Sequence, residues 1–318
     1  IGSLYEGEYL GCGMSHYMEH LVSGGSTRRQ VKGPDGKMVW VGRTEPENKK
    51  LLKSIGGNSN ASTFFNYTNY YITTKSEMAE TAVDLISDYL KNCQFDPKEV
   101  SREQRVVQQE LLRGLDEPGR ARSRLFNETL FKIHPARIPV IGYVDNIQRL
   151  DRDDMIKFYE THYTPQNCVL SIVGDVDKDE MLKLAKEYFG DWKRRPLDPS
   201  NYVLPEEPEQ SAPRWVERAH GAVKTAQVLI GVPTIPLQHP DLYKLDMLAN
   251  VLGLGDSAIL AQKFQNDPSR EVIATGIGAS NYTPVYGGGR FTIGFDADTL
   301  QAEGVSDIGD LAAFTPTL

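Results

Sequence analysis

Two histidines and a glutamate stand within one helical turn of each other in the stretch GCGMSHYMEHLVSGG. His16 and His20 are four positions apart, and Glu19 lies three positions after His16. On a helix, side chains at these spacings leave the same face. Two imidazoles so placed can bind one metal ion, and a carboxylate beside them can act as a base. Zinc suits this donor set, because it takes nitrogen and oxygen ligands in a tetrahedral shell and a catalytic site keeps one position for water. Zinc lowers the pKa of that water toward about 7, and a nearby carboxylate can accept its proton as it attacks a carbonyl. The chemistry these residues predict is metal-assisted hydrolysis.

Two imidazoles leave the shell incomplete, so a third ligand must come from another element. The stretch SREQRVVQQELLR offers Glu103 and Glu110, seven positions apart and so nearly two full turns of one helix. One of them can bind the metal while the other orients a ligand. Both lie near apolar positions, with Val106 and Val107 expected on the apolar side of that helix. A carboxylate close to a buried face needs a compensating partner, which a metal supplies.

The elements that must hold these groups follow from local pattern. Ser15 is a candidate cap for the helix that carries His16 and His20. Gly, Pro and Asp-Gly after it mark loops, with a hairpin around 33–37. A helix is expected over 45–55, stopped by Gly56–Gly57. NASTFFNYTNYYITTK reads as two strands with a turn near Asn66. Helices are expected over 78–92, where Ala82, Leu85, Ile86 and Leu90 recur at helical spacing, and over 98–114, 153–161 and 178–189. CVLSIVGDV (168–176) reads as a buried strand. The segment 196–213, rich in Pro, Ser and charge, reads as a linker between domains covering 1–195 and 214–318. Beyond it, AQVLIGVP and GRFTIGFDA read as strands, and 242–252 and 258–265 as helices. LGLGDS (252–257) lacks the lysine of a phosphate-binding loop and reads as a turn before a helix. The mixture lacks the strict alternation of a doubly wound sheet and indicates an α+β class, helices packed on mostly antiparallel sheet.

With these stretches in place, the chain resembles zinc metallopeptidases of the pitrilysin type (family M16), the group that includes insulin-degrading enzyme and the mitochondrial processing peptidases. HxxEH is the inverted zinc motif. GGNSNASTFFNYTNYY, the Glu103/Glu110 pair, HPARIPVIGYVDNIQRL and FYETHYTPQNCVLSIVGDVD resemble its later landmarks in order, covering most of 1–190. TAQVLIGVP and HPDLYKLDMLANVLGLGDSAILAQKF extend the likeness more weakly into the second part. The resemblance implies two related layered domains forming half of a clam-shell peptidase. It implies that His16, His20 and Glu110 bind Zn2+, that Glu19 is the base, and that Glu103 is a supporting carboxylate. Asn60 and Ala61 would lie on an edge strand along which the backbone of a peptide or unfolded protein pairs. A complementary half, in the same polypeptide or a second subunit, would close the chamber with an Arg and a Tyr that are not identifiable here. The 31–42 portion is an insertion relative to the family and reads either as a surface loop, the preferred reading, or as a loop near the site. The alternative role is a non-catalytic scaffold or partner subunit.

Composition narrows the remaining classes. The chain has 318 residues, enough for two domains, with 40% apolar and 25% charged residues and a net charge of −8. It lacks the clustered Lys and Arg of a nucleic-acid surface and any apolar run long enough to cross a bilayer. Three cysteines, Cys12, Cys93 and Cys168, form no CxxC pair and suggest neither a disulfide framework nor a cysteine metal cluster. The ends read as the interior of a longer polypeptide, so targeting information is not legible, and a bacterial periplasm, a cytoplasm or an organelle all fit a soluble chain of this kind.

Overall fold

The computed structural model describes residues 1–222, 227–235, 239–253, 257–265, 276–281 and 289–296. The chain divides into two compact units, one of Ile1–Leu112 and Pro139–Val203, the other of Arg113–Ile138 and Leu204–Leu318.

The first unit begins with α1 (Met14–Val22), an antiparallel hairpin of β1 (Arg29–Lys32) and β2 (Met38–Val41), and α2 (Glu45–Ser54). A second antiparallel ribbon follows, β3 (Asn58–Thr63) and β4 (Thr68–Thr73), then α3 (Ala79–Asn92) and α4 (Pro97–Asp116). The chain goes on through α5 (Pro118–Leu130) in the second unit and returns to the first with α6 (Val144–Ile147), α7 (Arg152–His162) and α8 (Lys178–Phe189). The rest of the second unit carries β5 (Gln227–Thr234), α9 (Leu242–Gly253), a π turn over Ala261–Gln265, β6 (Gly276–Asn281) and β7 (Gly289–Asp296). Its sheet is antiparallel in the order β5-β7-β6. Among the described residues no helix is long and apolar enough to cross a membrane.

Local chemistry sets most of these boundaries. α2 starts with a reciprocal capping box between Thr44 and Glu47 and stops where Gly56 takes φ +61°. Asp151 caps α7 by accepting from the backbone of Asp153 and Asp154, and Asp177 caps α8 in the same way. The turn between β1 and β2 closes with Gly33 N–H on Lys37 O at 2.7 Å, and Gly36 has φ +78°.

The core of the first unit forms around the buried side chains of α1. Met14, Tyr17, Met18, Leu21 and Val22 pack with Leu85 and Tyr89 of α3, Val100 and Val107 of α4, and Met155 and Phe158 of α7. Each such side chain contributes roughly 1.5–3 kcal/mol by leaving water. The Tyr17 hydroxyl donates to Val100 O at 2.5 Å, tying α1 to α4.

Several expectations need correction. Val106 is exposed, and the buried stripe of α4 runs through Val100, Val107 and Leu111. Ser15 is not the cap of α1: the cap position is Gly13, and Ser15 lies inside the first turn with its own N–H held by a buried carboxylate, Glu6 Oε1, at 2.7 Å. The segment 168–176 is not a buried strand. It pairs with no strand among the described residues, and Val169 and Val173 are 95% and 93% exposed while Ile172 and Val176 touch the cluster of Val83, Met181 and Leu184. Its apolar run records β propensity, but a strand exists only with a neighbour to take its hydrogen bonds. The helix expected over 258–265 takes the form of the π turn. In the 252–257 turn, residues 254–256 lie outside the described residues.

Candidate metal centre

α1 reaches its position through an entry with very little room. Gly13 takes φ +66°, and a Cβ there would lie 2.2 Å from Ile141 O. Gly142, at φ +76°, backs onto Gly13 with the same intolerance, its virtual Cβ 2.5 Å from Gly13 N. Tyr143 N–H then bonds Gly11 O at 2.9 Å. Only glycine adopts this backbone without strain and permits the two segments to touch. Burial keeps Glu6, below the start of α1, well above the usual carboxylate range, at about 8, against the pull of the Ser15 bonds.

From Met14 to Val22 every side chain of α1 is buried except three. The partly exposed ones are His16, Glu19 and His20. The apolar face of the helix thus fixes its rotation and leaves the three polar groups looking out on one side. On α4, Glu103 and Glu110 lie along the inward stripe with Val107 and Leu111.

The two helices bring one donor from each of three residues together. Ligand atoms of His16, His20 and Glu110 all lie within 4.8 Å of one another. Glu110 Oε2 is 3.6 Å from Nε2 of both His16 and His20. The imidazole rings meet nearly edge to face, 4.9 Å between centroids at 79°. In a tetrahedral zinc shell with bonds of about 2.0–2.1 Å, donor atoms stand roughly 3.3–3.4 Å apart. The two 3.6 Å separations are close to that spacing, and the 4.8 Å bound is looser. Two neutral imidazoles and one ionised carboxylate are chemically what zinc takes, and the residues fit the ion.

Glu103 serves a different function from Glu110. Its Oε2 sits 3.1 Å from His20 Nδ1, so a proton on Nδ1 faces the carboxylate and Nε2 is left as the basic nitrogen toward the centre. Arg102 reaches both Glu103 and Glu45 at 2.8 Å, holding the Glu103 carboxylate from the far side. Burial raises the Glu103 carboxyl, but His20 and Arg102 outweigh it and hold it below the usual range. Burial alone would lower His20, yet Glu103 and Glu110 hold its imidazolium up to about 9.

Glu19 lies beside this group. Burial pushes its carboxyl up, partly countered by a bond from Thr63 and by His20. Thr63 Oγ1 donates to Glu19 Oε2 at 2.5 Å. Thr63 is the last residue of β3, the strand that also carries Asn60 and Ala61. The register pairs Asn60 with Tyr71 and Ala61 with Tyr70, and among the described residues β3 has a strand on one side only. Asn60 Oδ1 accepts Ala61 N–H at 2.9 Å. The geometry therefore brings His16, His20, Glu103 and Glu110 together with Glu19 beside them. It places Asn60 and Ala61 on the neighbouring strand, outside the donor group. Thr63 and Glu6 were not singled out from sequence. Thr63 falls two residues after Ala61, on the same strand face, but that spacing does not show that its hydroxyl meets Glu19.

A family model described as "Insulinase (Peptidase family M16)" matches residues 37–143, and one described as "Peptidase M16 inactive domain" matches 149–308. The chain is 30% identical over 252 residues to the zinc protease PqqE of Helicobacter pylori, covering 78% of this chain and 53% of that protein. It is 28% identical over 298 residues to an uncharacterized zinc protease of Rickettsia bellii, covering 92% of this chain and 65% of that protein. It therefore spans about half to two thirds of the length of these curated relatives. A solved protease from Helicobacter pylori superposes with a TM-score of 0.78 at 25% identity, covering all of this chain and 74% of that one. Pitrilysin superposes with a TM-score of 0.65 at 19% identity, covering 93% of this chain and 30% of pitrilysin, a likeness of fold alone.

Proposed function

The chain belongs to peptidase family M16, and on that premise we propose that it is the metal-binding half of a zinc endopeptidase acting on peptides or small unfolded proteins. The observation that carries this reading is the convergence of His16, His20 and Glu110 from two helices, with Glu103 behind His20 and Glu19 at the side.

His16, His20 and Glu110 would hold the ion, and Glu103 would fix the His20 ring. Bound zinc would supply Lewis acidity, acidifying water and polarising the scissile carbonyl. Glu19 takes a proton from the attacking water as its oxygen bonds to the carbonyl carbon. The same carboxyl then gives that proton to the amide nitrogen as the C–N bond breaks, so the acid and amine products balance. The free side of β3 at Asn60 and Ala61 would pair with an extended substrate backbone, which gives affinity with loose side-chain selectivity. Asn60 must first release the Ala61 N–H that it holds. A complementary half, from the same polypeptide or another subunit, would close over the substrate.

A second reading is a non-catalytic partner subunit, favoured by the inactive-domain match over 149–308. That match begins after all the residues of the metal centre, so the catalytic reading stands first.

Metal analysis and peptide cleavage separate the two. The expected result is about one zinc per chain, sharply weakened in Glu110→Gln. Glu19→Gln should retain zinc and lose at least about 1000-fold in kcat. Zinc without any turnover in the presence of the complementary half would favour the scaffold, and full activity of Glu19→Gln would remove the mechanism.

A further inference from the structure

We infer that Thr63 is a positioning residue for Glu19, making the strand that would receive substrate also the element that aims the base; the inference rests on the catalytic reading above. The geometry is specific. Glu19 leaves α1 on its half-exposed face, where a flexible carboxylate has two rotatable bonds before its planar head. Glu103 and Arg102 are committed to His20 and to each other, and neither bonds Glu19. Thr63 bonds the Glu19 head through its hydroxyl, at 2.5 Å, with its backbone N–H a weaker second influence on the same carboxyl.

The hydroxyl is itself held in place. Thr63 closes the β3–β4 register opposite Thr68, whose hydroxyl is 3.4 Å away and donates to Ile1 O at 2.7 Å. With its own proton spent there, Thr68 cannot donate to Thr63, and the Thr63 proton goes to Glu19. The other acceptors within reach, Ser15 O four residues before Glu19 on α1 and Thr68 Oγ1, both lie farther away, at 3.4 Å. Thr63 thus spans from β3 to the turn of α1 that presents the base. As a β-branched residue it has few side-chain rotamers, so the hydroxyl is aimed by the strand itself. A hydroxyl can donate to a carboxylate and accept from a carboxylic acid, so it serves a carboxyl in either state.

This arrangement would put two functions on one element. Ala61 and Thr63 share one face of β3, so a backbone that docks along Ala61 lies on the same rigid strand that orients Glu19. A productive pose and an aimed base are set by one register.

The test compares Thr63→Val, which keeps the shape and removes the hydroxyl, with Thr63→Ser, which keeps the hydroxyl. The assay uses the full-length zinc-loaded protein with fluorescein-labelled casein and a quenched-fluorescence peptide as probes. Thr63→Val is expected to lower kcat by about 10- to 100-fold, with KM within about two-fold and zinc stoichiometry unchanged, and Thr63→Ser to stay within about three-fold of the parent. Unchanged kcat in Thr63→Val overturns the inference. So does loss of zinc, or a rise in KM alone, since either would assign Thr63 to the ion or to substrate binding. Should Thr63→Val fold poorly, Thr63→Ala stands in its place with the same expected loss. If the parent protein cleaves neither probe even with the complementary half present, the catalytic reading fails on its own and the inference is judged by crystallography. A Glu19 carboxylate that leaves its parental rotamer in Thr63→Val but not in Thr63→Ser supports positioning, and one that stays in place in both overturns it.

Discussion

The first unit contains two antiparallel ribbons of similar size with opposite fates. β3–β4 lies against α1, α2 and α3, and its alternation sorts cleanly: Thr68, Tyr70 and Ile72 are half-buried, while Asn69, Tyr71 and Thr73 are exposed. β1–β2 has no such backing. Met38, Val39, Trp40 and Val41 are all exposed although each is apolar. Its stability is concentrated at its base, where Thr27 N–H bonds Arg43 O and Arg28 N–H bonds Asn92 O, both at 2.8 Å. There Asp88, almost fully buried, gathers Thr27, Arg29, Arg43 and Asn92. The comparison separates two ways of fixing a hairpin. One is packed through its face and can aim a side chain such as Thr63 at a neighbouring helix. The other is fastened at its root and leaves its face unconstrained.

Substitutions on each ribbon test this contrast. The largest stability effect should come from Tyr70→Ala. Tyr70 packs on the core and shares a hydrogen bond of 2.7 Å with the Tyr163 hydroxyl, and its truncation should cost about 3 kcal/mol in urea unfolding. A loss under about 1 kcal/mol would mean the face of β3–β4 carries less than its packing implies.

Asp88→Asn should come next, costing about 2 kcal/mol through the charged hydrogen bonds it weakens. The loss should appear as faster amide exchange in β1–β2 rather than in β3–β4. Acid should reproduce it. Burial raises the Asp88 carboxyl, but Thr27, Arg43 and Asn92 outweigh it and hold it below 3.8. A lowered folded value means the contribution is complete above about pH 4 and is lost as pH falls through that lower value. Exchange in both ribbons rising together on acidification would break the distinction.

The smallest effect should be Trp40→Ala. Trp40 is 57% exposed, and its recorded cation–π contact is Arg28, 4.4 Å above the ring. An exposed contact of this kind is worth about 0.5–1 kcal/mol, so the melting temperature should move by no more than a few degrees. A larger loss would show that the hairpin face is packed in solution.

The same contrast explains what was legible in the sequence. His16, Glu19 and His20 could be read because helical period alone puts them on one face, and the buried positions between them confirm the rotation. The turns at 33–37 and near Asn66 could be read from Gly, Asp and Asn. α5 was not foreseen, since its Pro-Gly-Arg opening reads as loop although Pro118 is well suited to a first helical turn. The strand expected at 168–176 failed for the opposite reason: its local signal is strong and its neighbour is missing among the described residues. Glu6 and Thr63 escaped notice because what they do depends on partners at Ser15 and Glu19, nine and 44 positions away, and no local pattern records that.

Tyr17 and Val100 stand 83 positions apart, and so do His20 and Glu103. The bond between each pair closes a long loop before it returns any enthalpy, and such closure is paid for in chain entropy at the point where folding is slowest. An isolated peptide carrying His16 to His20 therefore has no means of recruiting Glu110. The donor group comes into being only when α4 docks on α1, so on the proposed reading the uptake of zinc during refolding would report that docking event and nothing earlier on the folding path.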